Sequence, residues 1–119
     1  MDKKKLLHLA NSICKNTLME TLEIEFVDIG EDFLSATMPV NSKVHQPDGL
    51  LHGGASLAIA ESVGSAAVFL LSKNAAQKVR GIEISANHLR SVSTGYITAV
   101  ARPIPVSYTH LTLPTNREV

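Results

Sequence analysis

The sequence predicts an α+β fold in which an antiparallel sheet wraps one long helix. Three observations lead there. The run from His52 to Leu71 is apolar or small almost throughout, carries no Pro and is far longer than an ordinary strand, so it reads as a helix. Segments of period-two alternation lie on both sides of it. Strands grouped around one helix, rather than alternating with several, indicate an antiparallel sheet.

The elements follow in order. Residues 3–15 read as a short amphipathic helix, with Leu6, Leu9, Ala10 and Ile13 at helical spacing. Lys3, Lys4 and Lys5 oppose the helix dipole, so its start should fray. Residues 22–29 read as a strand, and Gly30-Glu31-Asp32 as a turn. Residues 33–40 return, with Leu34, Ala36, Met38 and Val40 on one face and Ser35 and Thr37 on the other. A loop over 41–51 contains the turn Pro47-Asp48-Gly49. After the long helix, strands are expected at 79–89 and 95–103, joined by a turn through Arg90 and Ser91. In the second, Ile97, Ala99 and Ala101 oppose Tyr96, Thr98 and Val100.

Composition narrows the function. Acidic and basic residues balance at 11 each, which argues against a nucleic-acid binder built on bulk positive charge. There is no Trp, so no aromatic platform for stacking bases is expected. A single Cys, Cys14, allows neither an internal disulfide nor a Cys-cluster metal site, and it reads as a packing residue. The basic start lacks a secretory apolar stretch, so the cytoplasm is expected. The long helix nearly has the length of a membrane span, but Glu61 and its Ser and Gly residues dilute its hydropathy. No membrane role is expected.

Glu61 is the one ionisable residue between His52 and Lys73. A helix without a polar face is normally enclosed, and a carboxylate there loses hydration and holds its proton more tightly. Such acids cluster at functional sites. Glu61 at the helix surface, or in a structural ion pair, is the plainer alternative. The Gly53-Gly54 pair opens the helix, where unpaired amides face outward and suit an oxyanion. Equally, the glycines could serve close packing against the sheet. Gln46 and His52 could add hydrogen bonds to the same oxygen, and Ser65 lies one turn beyond Glu61. The set resembles an acyl-transfer site. Gly53 and Glu61 are about 12 Å apart along one helix, so a second subunit must complete the site. Neither the H-x-x-x-H nor the H-E-x-x-H metal spacing occurs, and there is no G-x-S-x-G, Walker or dinucleotide motif.

Two blocks carry a family resemblance. They are Gln46-Pro47-Asp48-Gly49-Leu50-Leu51-His52-Gly53-Gly54-Ala55-Ser56 with Ala60-Glu61-Ser62-Val63-Gly64-Ser65, and Gly81-Ile82-Glu83-Ile84-Ser85-Ala86-Asn87-His88-Leu89-Arg90. The chain resembles hotdog-fold acyl-CoA thioesterases of the 4-hydroxybenzoyl-CoA thioesterase type. Within them it is most similar to 1,4-dihydroxy-2-naphthoyl-CoA hydrolases of menaquinone biosynthesis and their promiscuous paralogues. The resemblance implies a central helix wrapped by a curved sheet, and a homodimer or homotetramer with interfacial active sites. It implies Glu61 as nucleophile or general base, and the Gly53 amide as the group polarising the thioester carbonyl. Gln46 and His52 assist, and Ser65 holds water or the carboxylate. Arg90, with His88 and Ser91 beside it, falls where CoA is bound. No metal or redox cofactor is implied.

The resemblance covers residues 5–103. Residues 1–104 therefore read as the thioesterase domain, and 105–119, with two Pro and scattered Thr, as a tail foreign to it. Two rival functions remain at this stage: a broad-range phenylacetyl- or medium-chain acyl-CoA thioesterase, and a non-catalytic acyl-CoA-binding module. Glu61 separates them, since a binding module has no use for a carboxylate at the thioester.

Overall fold

The computed structural model describes residues 2–71, 81–86 and 93–104, with backbone alone at 81–86 and 104. Helices α1 (Lys3–Ser12) and α2 (Leu18–Thr21) precede strands β1 (Glu25–Ile29) and β2 (Leu34–Pro39). A 3₁₀ turn (Ser42–Val44) leads to helix α3 (Gly53–Leu71), which is followed by β3 (Gly81–Ala86) and β4 (Tyr96–Ile104). The sheet order is β1-β2-β4-β3, and every neighbouring pair is antiparallel. Helix α3 lies across β2, β4 and β3. This is the predicted α+β architecture.

The alternation read from β2 and β4 is the one that builds the core. Leu34, Ala36 and Met38 point inward from β2, and Ile97, Ala99 and Ala101 from β4. Ile59, Val63 and Ala67 of α3 close the other side, all fully buried. Their spacing of four residues forms one stripe along the helix. Small side chains on both layers let helix and sheet approach closely.

Helix α3 is long and apolar enough to cross a membrane by length and composition. Only one side of it is buried, in the stripe Ala55, Ile59, Val63, Gly64, Ala67 and Leu71. Leu57 and Phe69, at 71% and 78% exposure, lie outside that stripe. The enclosure expected from its composition is thus not supplied by the described residues.

The N-terminal half departs from the expectation in three places. The start of α1 is capped against the opposing lysines: the Asp2 carboxylate accepts from the Lys4 N–H at 2.9 Å. Lys3 is drawn away to Asp28 at 3.0 Å, which ties α1 to β1. Second, α2 lies between the helix expected at 3–15 and the strand expected at 22–29, where periodicity assigns no element. Thr17 caps it, and Glu20 reaches back to the Asn16 N–H at 2.9 Å, a capping box in all but one residue of register. It ends with Glu23 at φ 62, where Ile24 N–H donates to Met19 O and Glu23 N–H to Glu20 O. That is a Schellman ending with Glu in the position Gly usually takes. Third, β1 carries a bulge between Phe26 and Asp28. Simple alternation would point Asp28 inward after Ile24 and Phe26; the bulge turns it outward and buries Ile29 instead.

Asn11 fastens α1 to the open edge of β1. Its side-chain amide donates to Phe26 O at 3.0 Å and accepts from Phe26 N–H at 2.8 Å. Both backbone groups of one edge residue are thereby satisfied as a neighbouring strand would satisfy them.

Candidate active site

The loop before α3 is shaped by its own backbone. Gln46 N–H donates to Leu50 O, Gly49 N–H to Gln46 O, and His52 N–H to Val44 O. His45 and Leu51 bridge antiparallel inside this ladder. Gly49 sits at φ 87, a conformation Gly adopts without cost. The result is a tight loop that presents Gln46, exposed, beside the start of α3. His45 is spent on structure: its Nε2–H donates to Ser93 O at 2.8 Å.

The two glycines at the helix start have different tasks. His52 Nδ1 accepts from the Gly54 N–H at 2.7 Å, so the imidazole caps the first turn and is unprotonated at Nδ1. A side chain at position 54 would sit 2.9 Å from that nitrogen. Ala55 and Ser56 amides both donate to His52 O. The Gly53 amide is left over: among the described residues it has no partner. A side chain added there would meet nothing within 4 Å. Neither glycine packs against the sheet, so the close-packing alternative is not what the fold uses. A free amide at a helix N-terminus, with open space before it, can stabilise a developing oxyanion.

Glu61 lies two turns further on, exposed, with Ser65 one turn beyond on the same side. Both line a cavity of about 440 Å³, enclosed also by Cys14, Met19, Phe26 and Phe69. His52 and Gly54 line a different cavity of about 270 Å³, with Lys43, His45 and Ala58. Glu61 and the Gly53 amide thus sit on one helix, about 12 Å apart, and Gly53 does not line the cavity beside Glu61. The expected burial of Glu61 is not found among the described residues: the side chain is exposed on the helix surface. Glu61 and Ser65 are brought together, Gly53 and His52 are brought together, and the two pairs are not brought to each other. His88, Arg90 and Ser91 lie outside the described residues, as does 105–119.

Sequence reasoning missed the wall opposite Glu61. Thr17, Leu18 and Met19 of the α2 segment line the cavity with Ala10 and Cys14. The Thr17-x-x-Glu20 capping pattern was the available signal for that segment.

An antiparallel sheet held against one long helix, with a carboxylate midway along the helix's open side and a free amide at its start, is the hotdog architecture of thioester hydrolases. The chain belongs to the thioesterase superfamily, whose family model matches residues 48–113. It is 44% identical over 108 residues to the 1,4-dihydroxy-2-naphthoyl-CoA hydrolase of Escherichia coli K12, a match covering 91% of this chain and 79% of that protein. It is 49% identical over 98 residues to the proofreading thioesterase EntH of Cronobacter turicensis, covering 82% of this chain and 71% of that one. Among solved structures, a mutant of the thioesterase PA1618 from Pseudomonas aeruginosa superposes with a TM-score of 0.68 at 44% identity. That superposition covers 85% of this chain and 73% of the other. The chain is a thioesterase.

Proposed function

We propose that the chain hydrolyses acyl-CoA, with an aromatic acyl group such as 1,4-dihydroxy-2-naphthoyl, to the free acid and CoA. The step is one of menaquinone biosynthesis for that substrate, and the enzyme acts in the cytoplasm without a metal or redox cofactor. The observation that carries the reading is Glu61, a carboxylate on the open side of α3 and the one acidic group lining a mostly apolar cavity. As general base it takes a proton from water as the water oxygen attacks the thioester carbon. The oxyanion is held by an amide, the C–S bond breaks, and the thiolate of CoA receives the proton. As nucleophile it would instead form an anhydride that water opens.

The amide comes from a second copy. Pairing two α3 helices antiparallel about a two-fold axis at Leu57, midway between Gly53 and Glu61, sets Glu61 against the partner's Gly53. Leu57 is 71% exposed and would be covered by this pairing. Gln46 and His52 arrive with that Gly53, and Ser65 stays with Glu61. Dimers of this kind would pair into a homotetramer. Arg90, with His88 and Ser91, is assigned to the CoA phosphates, for which a guanidinium fork is suited. The catalytic unit is assigned to residues 1–104, with 105–119 as an added tail; the family match itself runs on to residue 113.

A second reading, turnover of phenylacetyl- or medium-chain acyl-CoA, is favoured by the apolar lining of the cavity beside Glu61. CoA release from a panel of aryl- and alkyl-CoA thioesters decides between them and tests the site. Glu61→Gln should lower kcat about 10²- to 10⁴-fold on every turned-over substrate. Unchanged turnover in that variant would remove Glu61 from the mechanism. Binding without release by the wild type would make the chain a non-catalytic acyl-CoA module.

A further inference from the structure

The cavity beside Glu61 is not lined evenly. Three of its polar residues, Glu61, Ser62 and Ser65, come from α3, and a fourth, Thr17, caps α2. The facing wall is built by the end of α1, the start of α2 and Phe26 of β1. Burial tells mouth from closed end. Ile13, Leu18 and Phe69 are 67%, 62% and 78% exposed, whereas Ala10, Cys14 and Phe26 are 3%, 7% and 3% exposed.

The closed end has no polar group to spare. The Cys14 thiol donates to Ala10 O at 3.3 Å and lies 3.6 Å from Met19 Sδ. The Thr17 hydroxyl donates to Cys14 O and accepts from the Met19 N–H. Burial pushes the Cys14 thiol up from its ordinary pKa, so it is a neutral lining group and no nucleophile. What remains is a surface of two sulfurs, a methyl group and a ring, which is polarizable and adaptable in shape. At roughly 30 Å³ for a water-sized group, a space of about 440 Å³ exceeds what one benzoyl ring needs.

We propose that the α1–α2 segment closes the acyl end of this cavity, and that Cys14 and Met19 set the length of acyl group the enzyme accepts. Of the two substrate readings above, this end fits the second, hydrocarbon acyl groups longer than benzoyl, because it offers volume and no spare hydrogen-bonding group. The inference rests on the thioesterase reading and specifies its substrate class. Asn11 is a positioning residue for it, since its two bonds to Phe26 hold the end of α1 over the cavity.

The test is kcat/KM along a series from butanoyl- to dodecanoyl-CoA, for wild type, Cys14→Leu and Met19→Ala. Cys14→Leu grows into the closed end and should lower the dodecanoyl-to-butanoyl ratio about tenfold, a step of the size one or two methylenes command in a pocket. Met19→Ala opens the same end and should move the optimum to longer chains. Ratios unmoved in both variants, or rates falling alike at every length, would overturn the proposal and leave these residues a structural role. Should one variant fail to fold by circular dichroism, the other still reads the length preference. Should the wild type release no CoA from any ester, the thioesterase reading fails, and the same series read as affinities by calorimetry still tests the length limit.

Discussion

The two sides of α3 are made from the same small alphabet and do opposite things. One stripe, Ala55, Ile59, Val63, Gly64, Ala67 and Leu71, is buried against the sheet. The other, Leu57, Glu61, Ser65 and Phe69, is exposed. A helix apolar all round tells the reader that both sides will be covered, but not by what. The first stripe is covered by this chain. The second holds the proposed catalytic carboxylate, and the lone Glu separates them more clearly than any difference in hydropathy.

The largest effect expected from this contrast is on stability. Ile59→Ala removes a fully buried side chain from the core and should cost about 2–5 kcal/mol in denaturant unfolding of the protein. Leu57→Ala removes a side chain of the same size from the open side. It should change protomer stability by no more than about 0.5 kcal/mol. Its effect should appear instead in sedimentation, as a shift toward monomer, and in lost CoA release. Equal destabilisation by both would mean that α3 has no open side.

At the first turn of α3 the same contrast falls on two adjacent residues. Gly54→Ala forces a Cβ to 2.9 Å from His52 Nδ1 and displaces the imidazole cap. A lost cap costs about 1 kcal/mol, readable as a lower denaturation midpoint. Gly53→Ala meets nothing within 4 Å and should leave the midpoint where it is. It crowds the approach to the free amide, so kcat/KM should fall while stability holds. Activity retained in Gly53→Ala would free that amide from its assigned role.

The parts legible in the sequence were those whose cause is local and periodic. The faces of β2 and β4 follow from period-two alternation, and α3 from an unbroken apolar run. The pairings Glu61 with Ser65 and Gly53 with His52 follow from helical spacing and adjacency. What escaped depended on one side chain meeting distant backbone. Asp28 would be misplaced inward by alternation until the bulge is known. Ile13 falls at the apolar spacing of the first helix, yet it is 67% exposed at the cavity mouth. The expected burial of Glu61 failed for a different reason: composition reports that a surface will be covered, and the cover need not belong to the same protomer.

The smallest expected effect concerns the tie between α1 and β1, the element that walls the cavity from outside. The Asp28 carboxyl is held below the usual carboxylate range, first by its hydrogen bond from Lys3 and then by one from the Ile29 N–H. A carboxyl lowered in the folded state binds fewer protons there than in the unfolded chain. Its contribution is therefore present above the ordinary carboxylate pKa of about 3.9 and is lost as pH falls through the lower folded value. Asp28→Asn should melt earlier than wild type at neutral pH, by a margin that narrows below about pH 4 and closes in stronger acid. The pair is exposed, so added salt should shrink the margin as well. A margin independent of both pH and salt would place the role of Asp28 in the bulge geometry of β1, and the ion pair with Lys3 would then be a bystander to how α1 is held.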